Sequence, residues 1–179
     1  MVDPATSRLW VFRALFLALC AVVIFLQLLP MQIPPSRWAA PDLLIGFTFA
    51  WVLRRPDYVP VLSVALVFLA ADLLFQRPPG LATALVVGGS EFLRSRSHFM
   101  REFPFALEWA IVATIIAVVM LGNRLVLMAV FVEPPDFGLT AIHFVATVLA
   151  YPLVVMLSRY VLGVQHLQPG GTDSARSRT

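Results

Sequence analysis

Apolar residues fall into six runs along the chain, and short segments rich in proline, arginine and glycine separate them. A helix needs roughly 20 apolar residues to cross a bilayer, and proline cannot continue a helix interior. The pattern predicts an all-α integral membrane protein, a six-transmembrane-helix bundle over residues 1–163. The predicted helices are about 10–29, 42–53, 58–76, 81–93, 105–131 and 139–162.

Four segments depart from regular spans. The second and fourth runs are short, and the fifth is long enough to tilt, kink or split near Gly122. Pro152 should bend the sixth helix. The stretch "RSRSHFMREFP" is predicted to be a polar basic loop, and residues 164–179 a disordered cytoplasmic tail.

Composition excludes most soluble classes. The chain of 179 residues is 60% hydrophobic and 13% charged, whereas soluble domains are about 25% charged. The net charge of +3 does not indicate nucleic-acid binding, because the arginines lie in short loops rather than along one stripe. The single cysteine excludes an internal disulfide, and no metal or nucleotide motif occurs. We therefore predict no enzyme activity and no cofactor or metal.

Arginines also predict the orientation, because cytoplasmic loops are enriched in them. With six spans, only Arg37 and Arg77 fall in loops on the outer side. Both termini should then be cytoplasmic. The inner loops contain five arginines that either contact anionic lipid headgroups or a cytoplasmic partner, or serve only as topology determinants: Arg54, Arg55, Arg94, Arg96 and Arg101.

Polar residues of three helices should meet in the outer part of the bundle: Asp72, Asn123, Arg124 and His143. Intramembrane charges are costly and normally find partners. One hypothesis pairs Asp72 with Arg124, with a hydrogen bond to Asn123 or His143. Alternatively, Asp72 caps the "RPPG" turn while Arg124 extends to water, or Asp72 contacts a helix of another protein.

Small residues recur four apart at Gly80, Ala84 and Gly88. Such faces allow close helix packing, either within the bundle or against a partner. On the sixth helix, one polar stripe should face protein rather than lipid: Thr140, His143, Thr147 and Tyr151.

Two other function classes remain open. Gly88-Gly89-Ser90 and His143 resemble parts of a rhomboid-type intramembrane serine protease, but Glu91 replaces the expected glycine, and the predicted topology places Ser90 and His143 near opposite ends of their helices. A transporter or small-ligand-binding subunit fits the short helices loosely. Glu108 is interpreted as part of a solvated helix end.

The order of segments resembles the MreD family of bacterial rod-shape-determining membrane proteins. The resemblance rests on "LQLLPMQIPP", "APDLLIGFTFAWVLRRPDY", "ALVFLAADLLFQRPPGLATALVV" and "LAYPLVVMLSRYV". Family members often place a glycine where this chain has Ala70-Ala71.

The resemblance implies a non-enzymatic inner-membrane scaffold of the cell-elongation complex. It implies MreC, the RodA glycosyltransferase, its penicillin-binding transpeptidase and the MreB cytoskeleton as partners. It also implies a fold similar to the substrate-binding subunits of energy-coupling-factor transporters.

Overall fold

The computed structural model of the protein describes residues 4–29, 40–100, 103–132 and 136–160. Within these ranges the chain is helical, and a single 3-10 turn, Pro56–Tyr58, follows the second helix. The helices are α1 Pro4–Leu28, α2 Leu43–Arg54, α3 Val61–Leu74, α4 Leu81–Met100, α5 Phe105–Ala129 and α6 Phe137–Tyr160. The all-helical prediction is confirmed for the ranges described.

The short helix α2 lies at the centre of the bundle. All of its residues from Leu44 to Arg54 are buried, and it packs against α1, α4 and α6. The pairs α1 with α3, α3 with α4, α4 with α5, and α5 with α6 also touch. The other five helices therefore form an arc around α2, which explains why its sequence is apolar on every side.

Within the described part of the chain, three helices are long and apolar enough to cross a bilayer: Leu9–Leu28, Phe105–Ala129 and Phe137–Tyr160. Large apolar side chains such as Leu62, Leu125 and Leu153 are exposed on the outside of the bundle, as expected for surfaces that face lipid. These features support a membrane protein. By contrast, α2 has 12 residues and is about 18 Å long, shorter than a hydrocarbon core of about 30 Å.

The main difference from the predicted helices is the length of α4. It continues through most of the predicted "RSRSHFMREFP" loop and ends at Met100. Leu93, Ser97 and Met100 are buried, so this segment has an inward face at helical spacing. The hydroxyl groups of Ser95 and Ser97 donate to carbonyl groups one turn earlier, which satisfies them without breaking the helix.

The helix α5 is continuous through Gly122, which excludes a split among the three alternatives of tilt, kink or split considered for this helix. Pro152 lies inside α6. The predicted tail 164–179, the contact residue Arg101 and most of the first outer loop, with Arg37, lie outside the described residues.

Candidate functional site

A cavity of about 300 Å³ opens at one end of the bundle. It is lined by residues from the C-terminal parts of α1, α3 and α5, the N-terminal parts of α2, α4 and α6, and the turn between α3 and α4. Successive helices therefore alternate in direction, and we call this the cavity end. The polar lining consists of Gln27, Asp42, Asp72, Arg77, Asn123, Arg124, Thr140 and His143.

The carboxylate of Asp72 caps the start of α4. Its Oδ2 accepts hydrogen bonds from the backbone N–H of Gly80 at 3.1 Å and of Thr83 at 3.2 Å, and from the Thr83 hydroxyl at 2.8 Å. These N–H groups have no partner within the helix, and a carboxylate at a helix N-terminus is favoured by the helix dipole. Asp72 thus stabilises the turn between α3 and α4 from within the bundle.

Asp42 has the same role for α2. Its Oδ1 accepts a hydrogen bond from the Ile45 N–H at 3.1 Å, while its own N–H donates to the Thr147 hydroxyl at 2.9 Å. Its Oδ2 lies 4.0 Å from Nε2 of His143. Asp42 therefore both starts α2 and attaches it to α6.

Two arginines complete the charged lining of the cavity. The Arg77 side chain lies in the turn after α3, with its guanidinium 5.1 Å from the centre of the Phe75 ring. The Arg124 guanidinium lies 5.5 Å from the centre of the Phe137 ring. Each arginine thus has an aromatic neighbour of the kind that favours a cation–π contact.

The four residues predicted to form a polar cluster, Asp72, Asn123, Arg124 and His143, all line this one cavity. However, no contact of the Asp72 carboxylate with the described residues involves Arg124, Asn123 or His143. The capping alternative therefore describes Asp72, and the predicted pairing with Arg124 is not formed. The predicted stripe on α6 faces protein, since Thr147 and Tyr151 are buried.

The opposite end of the bundle contains a buried ion pair, and we call it the ion-pair end. Nη2 of Arg54 lies 3.1 Å from Oε1 of Glu108, which also accepts a hydrogen bond from the Tyr151 hydroxyl at 2.8 Å. Arg54 is only 4% exposed and Glu108 only 6%. The interpretation of Glu108 as part of a solvated helix end is wrong, because three helices enclose it.

The burial of Arg54 also differs from its predicted role as a lipid or partner contact. The neighbouring Arg55 is half-buried and lies over the Tyr58 ring at 5.5 Å. Arg94 pairs with Glu91 at 2.8 Å and donates to the carbonyl groups of Pro56 and Val59, so it fastens α4 to the segment between α2 and α3.

Among the described arginines predicted to contact lipid, Arg96 is the most exposed. Its guanidinium lies 4.8 Å from the centre of the Phe92 ring. Arg96 therefore keeps the surface position that the sequence predicted.

The small-residue stripe of α4 lies outward rather than against another helix of the described ranges. Ala84 and Gly88 are exposed, and a Cβ added at Gly88 would meet nothing within 4 Å. Gly80 has a φ of +87° and belongs to the turn, where glycine avoids strain. The inward glycine is Gly89, where an added Cβ would lie 3.0 Å from Ile115 and 3.2 Å from Phe49.

The protease-like residues are separate in the structure. The Ser90 hydroxyl is buried and donates to the Val87 carbonyl of its own helix, whereas His143 lines the cavity beside Asp42. The residues that the structure describes contain no group of three or more histidine, cysteine, aspartate or glutamate side chains that could hold a metal ion.

Asp42 was not among the predicted sites, and Arg54 and Tyr151 were predicted in other roles rather than in a cluster with Glu108. For Asp42 a signal exists, since an aspartate directly before an apolar run is typical of a helix N-cap. For Arg54 and Glu108, the antiparallel order of helices places the end of α2 beside the start of α5, which would have suggested a pair. Comparisons with protein-family models, with curated proteins and with solved structures find no match for this chain.

Proposed function

We propose that this protein is a non-enzymatic scaffold subunit in the inner membrane of a bacterium, within the complex that elongates the cell wall. The proposal rests on the resemblance to the MreD family described above. Its expected partners are an MreC-type protein, the RodA glycosyltransferase with its transpeptidase, and the MreB cytoskeleton. Both termini are proposed to lie in the cytoplasm.

The structural observation that carries this proposal is the outward face of α4. Ala84 and Gly88 are exposed there, and the space above Gly88 is open. Small residues on a lipid-exposed face allow the helix of another membrane protein to approach closely. The buried charges, in contrast, are engaged within the bundle, at Asp72 and at the Arg54–Glu108 pair.

Arginine positions support the proposed orientation. Among the arginines whose side chains the structure describes, those at the ion-pair end are Arg13, Arg54, Arg55, Arg94, Arg96 and Arg159, and those at the cavity end are Arg77 and Arg124. By the positive-inside rule, the ion-pair end would face the cytoplasm. The exposed Arg96 and Arg159 are then well placed to contact anionic headgroups.

The scaffold function is tested by co-purification from native membranes, followed by identification of the bound proteins. Ala84→Leu and Gly88→Leu should reduce recovery of the MreC-type partner, since each adds a large side chain to the face used for close approach. Ala110→Leu on α5 is the matched control, because Ala110 is also an exposed small residue of an apolar helix. Recovery of no elongation protein with the unaltered chain would contradict the proposal.

The cavity favours a second candidate function, a small-ligand-binding membrane subunit. Its volume of about 300 Å³ lies at the lower limit of ordinary ligand sites, and its lining combines an apolar interior with a few polar groups. A ligand-binding subunit should gain thermal stability when its ligand is added, which a pure scaffold would not.

A further inference from the structure

The charged groups of the cavity differ in how far they are already engaged. Oδ2 of Asp72 accepts three hydrogen bonds from the start of α4, and Asp42 caps α2 while facing His143. Both carboxylates are therefore stabilised by backbone N–H groups at helix N-termini. Each directs at least one oxygen toward the protein rather than toward a ligand.

Arg77 is engaged differently. Its side chain is exposed and lies over Phe75. Among the residues that the structure describes, its guanidinium has no hydrogen-bond acceptor and no ion-pair partner. A guanidinium presents five N–H donors in a planar fork that matches a carboxylate or a phosphate. The available charge of the cavity is therefore positive, and it lies at the rim.

The remainder of the lining is apolar. It includes the aromatic rings of Phe68 and Phe75 and aliphatic side chains such as Val86, Val119 and Leu127. An apolar cavity of about 150 Å³ can hold a benzene ring, so a cavity of twice that volume has room for an apolar body of about ten carbon atoms. Asn123 and Arg124 line the same space, and the Asn123 amide adds a donor beside that body.

We propose that the cavity binds an anionic amphiphile, with its apolar body among Phe68, Val86 and Val119 and its carboxylate or phosphate group at Arg77. This inference rests on the second candidate function, because it names the ligand class of that same cavity, and it does not depend on the scaffold proposal. The anionic group could belong to a membrane lipid or to a soluble molecule, and both present the same chemistry to Arg77.

The test uses the full chain in nanodiscs of phosphatidylcholine. Three photoreactive probes of matched length are added, each bearing a diazirine in its alkyl chain: decyl phosphate, decanol and decyltrimethylammonium. After irradiation, labelled peptides are identified by mass spectrometry. We expect decyl phosphate to label peptides that contain Phe68, Val86 or Val119 well above the two other probes, because only the phosphate carries a negative charge that can pair with the Arg77 guanidinium.

Arg77→Gln should reduce labelling by decyl phosphate about ten-fold at a subsaturating concentration, since 1.4 kcal/mol corresponds to a factor of ten. Arg96→Gln is the matched control, because Arg96 also lies over a phenylalanine ring but at the opposite end of the bundle. It should leave labelling unchanged. Arg124→Gln provides a second cavity variant if Arg77→Gln fails to fold.

The outcomes separate the two levels of the proposal. Equal labelling of the cavity by decanol would overturn the anionic class while leaving a ligand site in place. Absence of cavity labelling by all three probes would overturn ligand binding itself and leave the scaffold proposal untouched.

A competition experiment identifies the source of the anion. If phosphatidylglycerol in the disc competes with decyl phosphate, the ligand is a membrane lipid; labelling that is insensitive to phosphatidylglycerol indicates a soluble anion. Both of these results support the anionic class.

Discussion

At the ion-pair end, Arg54 and Glu108 neutralise each other inside the bundle, whereas at the cavity end Asp72 and Asp42 are balanced by helix N-termini. In the first case two side chains of opposite charge fill the interior. In the second, backbone N–H groups balance the carboxylates, so the nearby arginines are not needed as their partners. The same residue types therefore close one end of the bundle and leave a charged cavity at the other.

The largest loss of stability is expected when the buried ion pair is broken. Glu108→Ala should destabilise the protein by about 3–5 kcal/mol, because it leaves Arg54 buried without its carboxylate partner. Denaturation of the detergent-solubilised protein by increasing SDS, followed by circular dichroism, measures this loss. The triple variant Arg54→Met, Glu108→Leu and Tyr151→Phe should recover most of it, since hydrophobic replacement of a whole buried pair is often neutral and the Tyr151 hydroxyl that donates to Glu108 is removed with it.

Glu91→Ala serves as the control for that experiment. Glu91 pairs with Arg94 on one helix face and is far more exposed than Glu108, so its loss should cost less than about 0.5 kcal/mol. Equal losses of stability in Glu108→Ala and Glu91→Ala would show that the buried ion pair contributes no more to stability than the exposed one.

The helix α4, which runs between the two ends, provides the second comparison. Gly89→Ala should cost about 1–3 kcal/mol, because the new methyl group would press against Ile115 and Phe49. Gly88→Ala, one residue earlier on the open face, should stabilise α4 by up to about 1 kcal/mol. Thermal denaturation of both variants measures the difference. If both stabilise equally, the inner face of α4 is looser than the structure indicates.

At the cavity end, Asp72→Ala should destabilise the protein by about 1–2 kcal/mol, the range for loss of a helix cap. Asp72→Asn should lose less, because an amide oxygen still accepts a hydrogen bond from Thr83. Hydrogen exchange of the first-turn amides of α4 reports the cap directly. Unchanged exchange in Asp72→Ala would mean that the cap contributes nothing.

The smallest effect on stability is expected for Arg77→Gln, within about 0.5 kcal/mol of the unaltered protein. Arg77 is exposed, and its guanidinium has no acceptor among the described residues, so its removal leaves no buried group without a partner. Arg54→Gln, measured under the same SDS conditions, should be strongly destabilising. A large loss in Arg77→Gln would remove the distinction between an arginine that supports the fold and one that is available to a ligand.

Sequence reasoning located the helices well because each apolar run is bounded by proline or arginine. It failed at the end of α4, where serine and arginine resemble a loop in isolation. The helix continues because its inward face is buried at Leu93, Ser97 and Met100, and because Arg94 contacts Pro56 and Val59. The local sequence pattern around the end of α4 does not reveal these contacts, because they join residues that are distant along the chain.

The candidate site was predictable in part. The antiparallel order of helices brought Asp72, Asn123, Arg124 and His143 to one level, and they do line one cavity. Which acceptor meets which donor depends on side-chain geometry of a few ångströms, which spacing along a helix does not determine. The pattern therefore predicted the neighbourhood of Asp72 but not its bond to Thr83.

The buried pair of Arg54 and Glu108 has a consequence for how the chain is assembled during synthesis. Arg54 ends α2, but Glu108 emerges from the ribosome only after α3 and α4 have been made. Until then the guanidinium lacks the carboxylate with which it pairs in the folded bundle. We therefore expect α2 to take its buried central position only once α5 has been made.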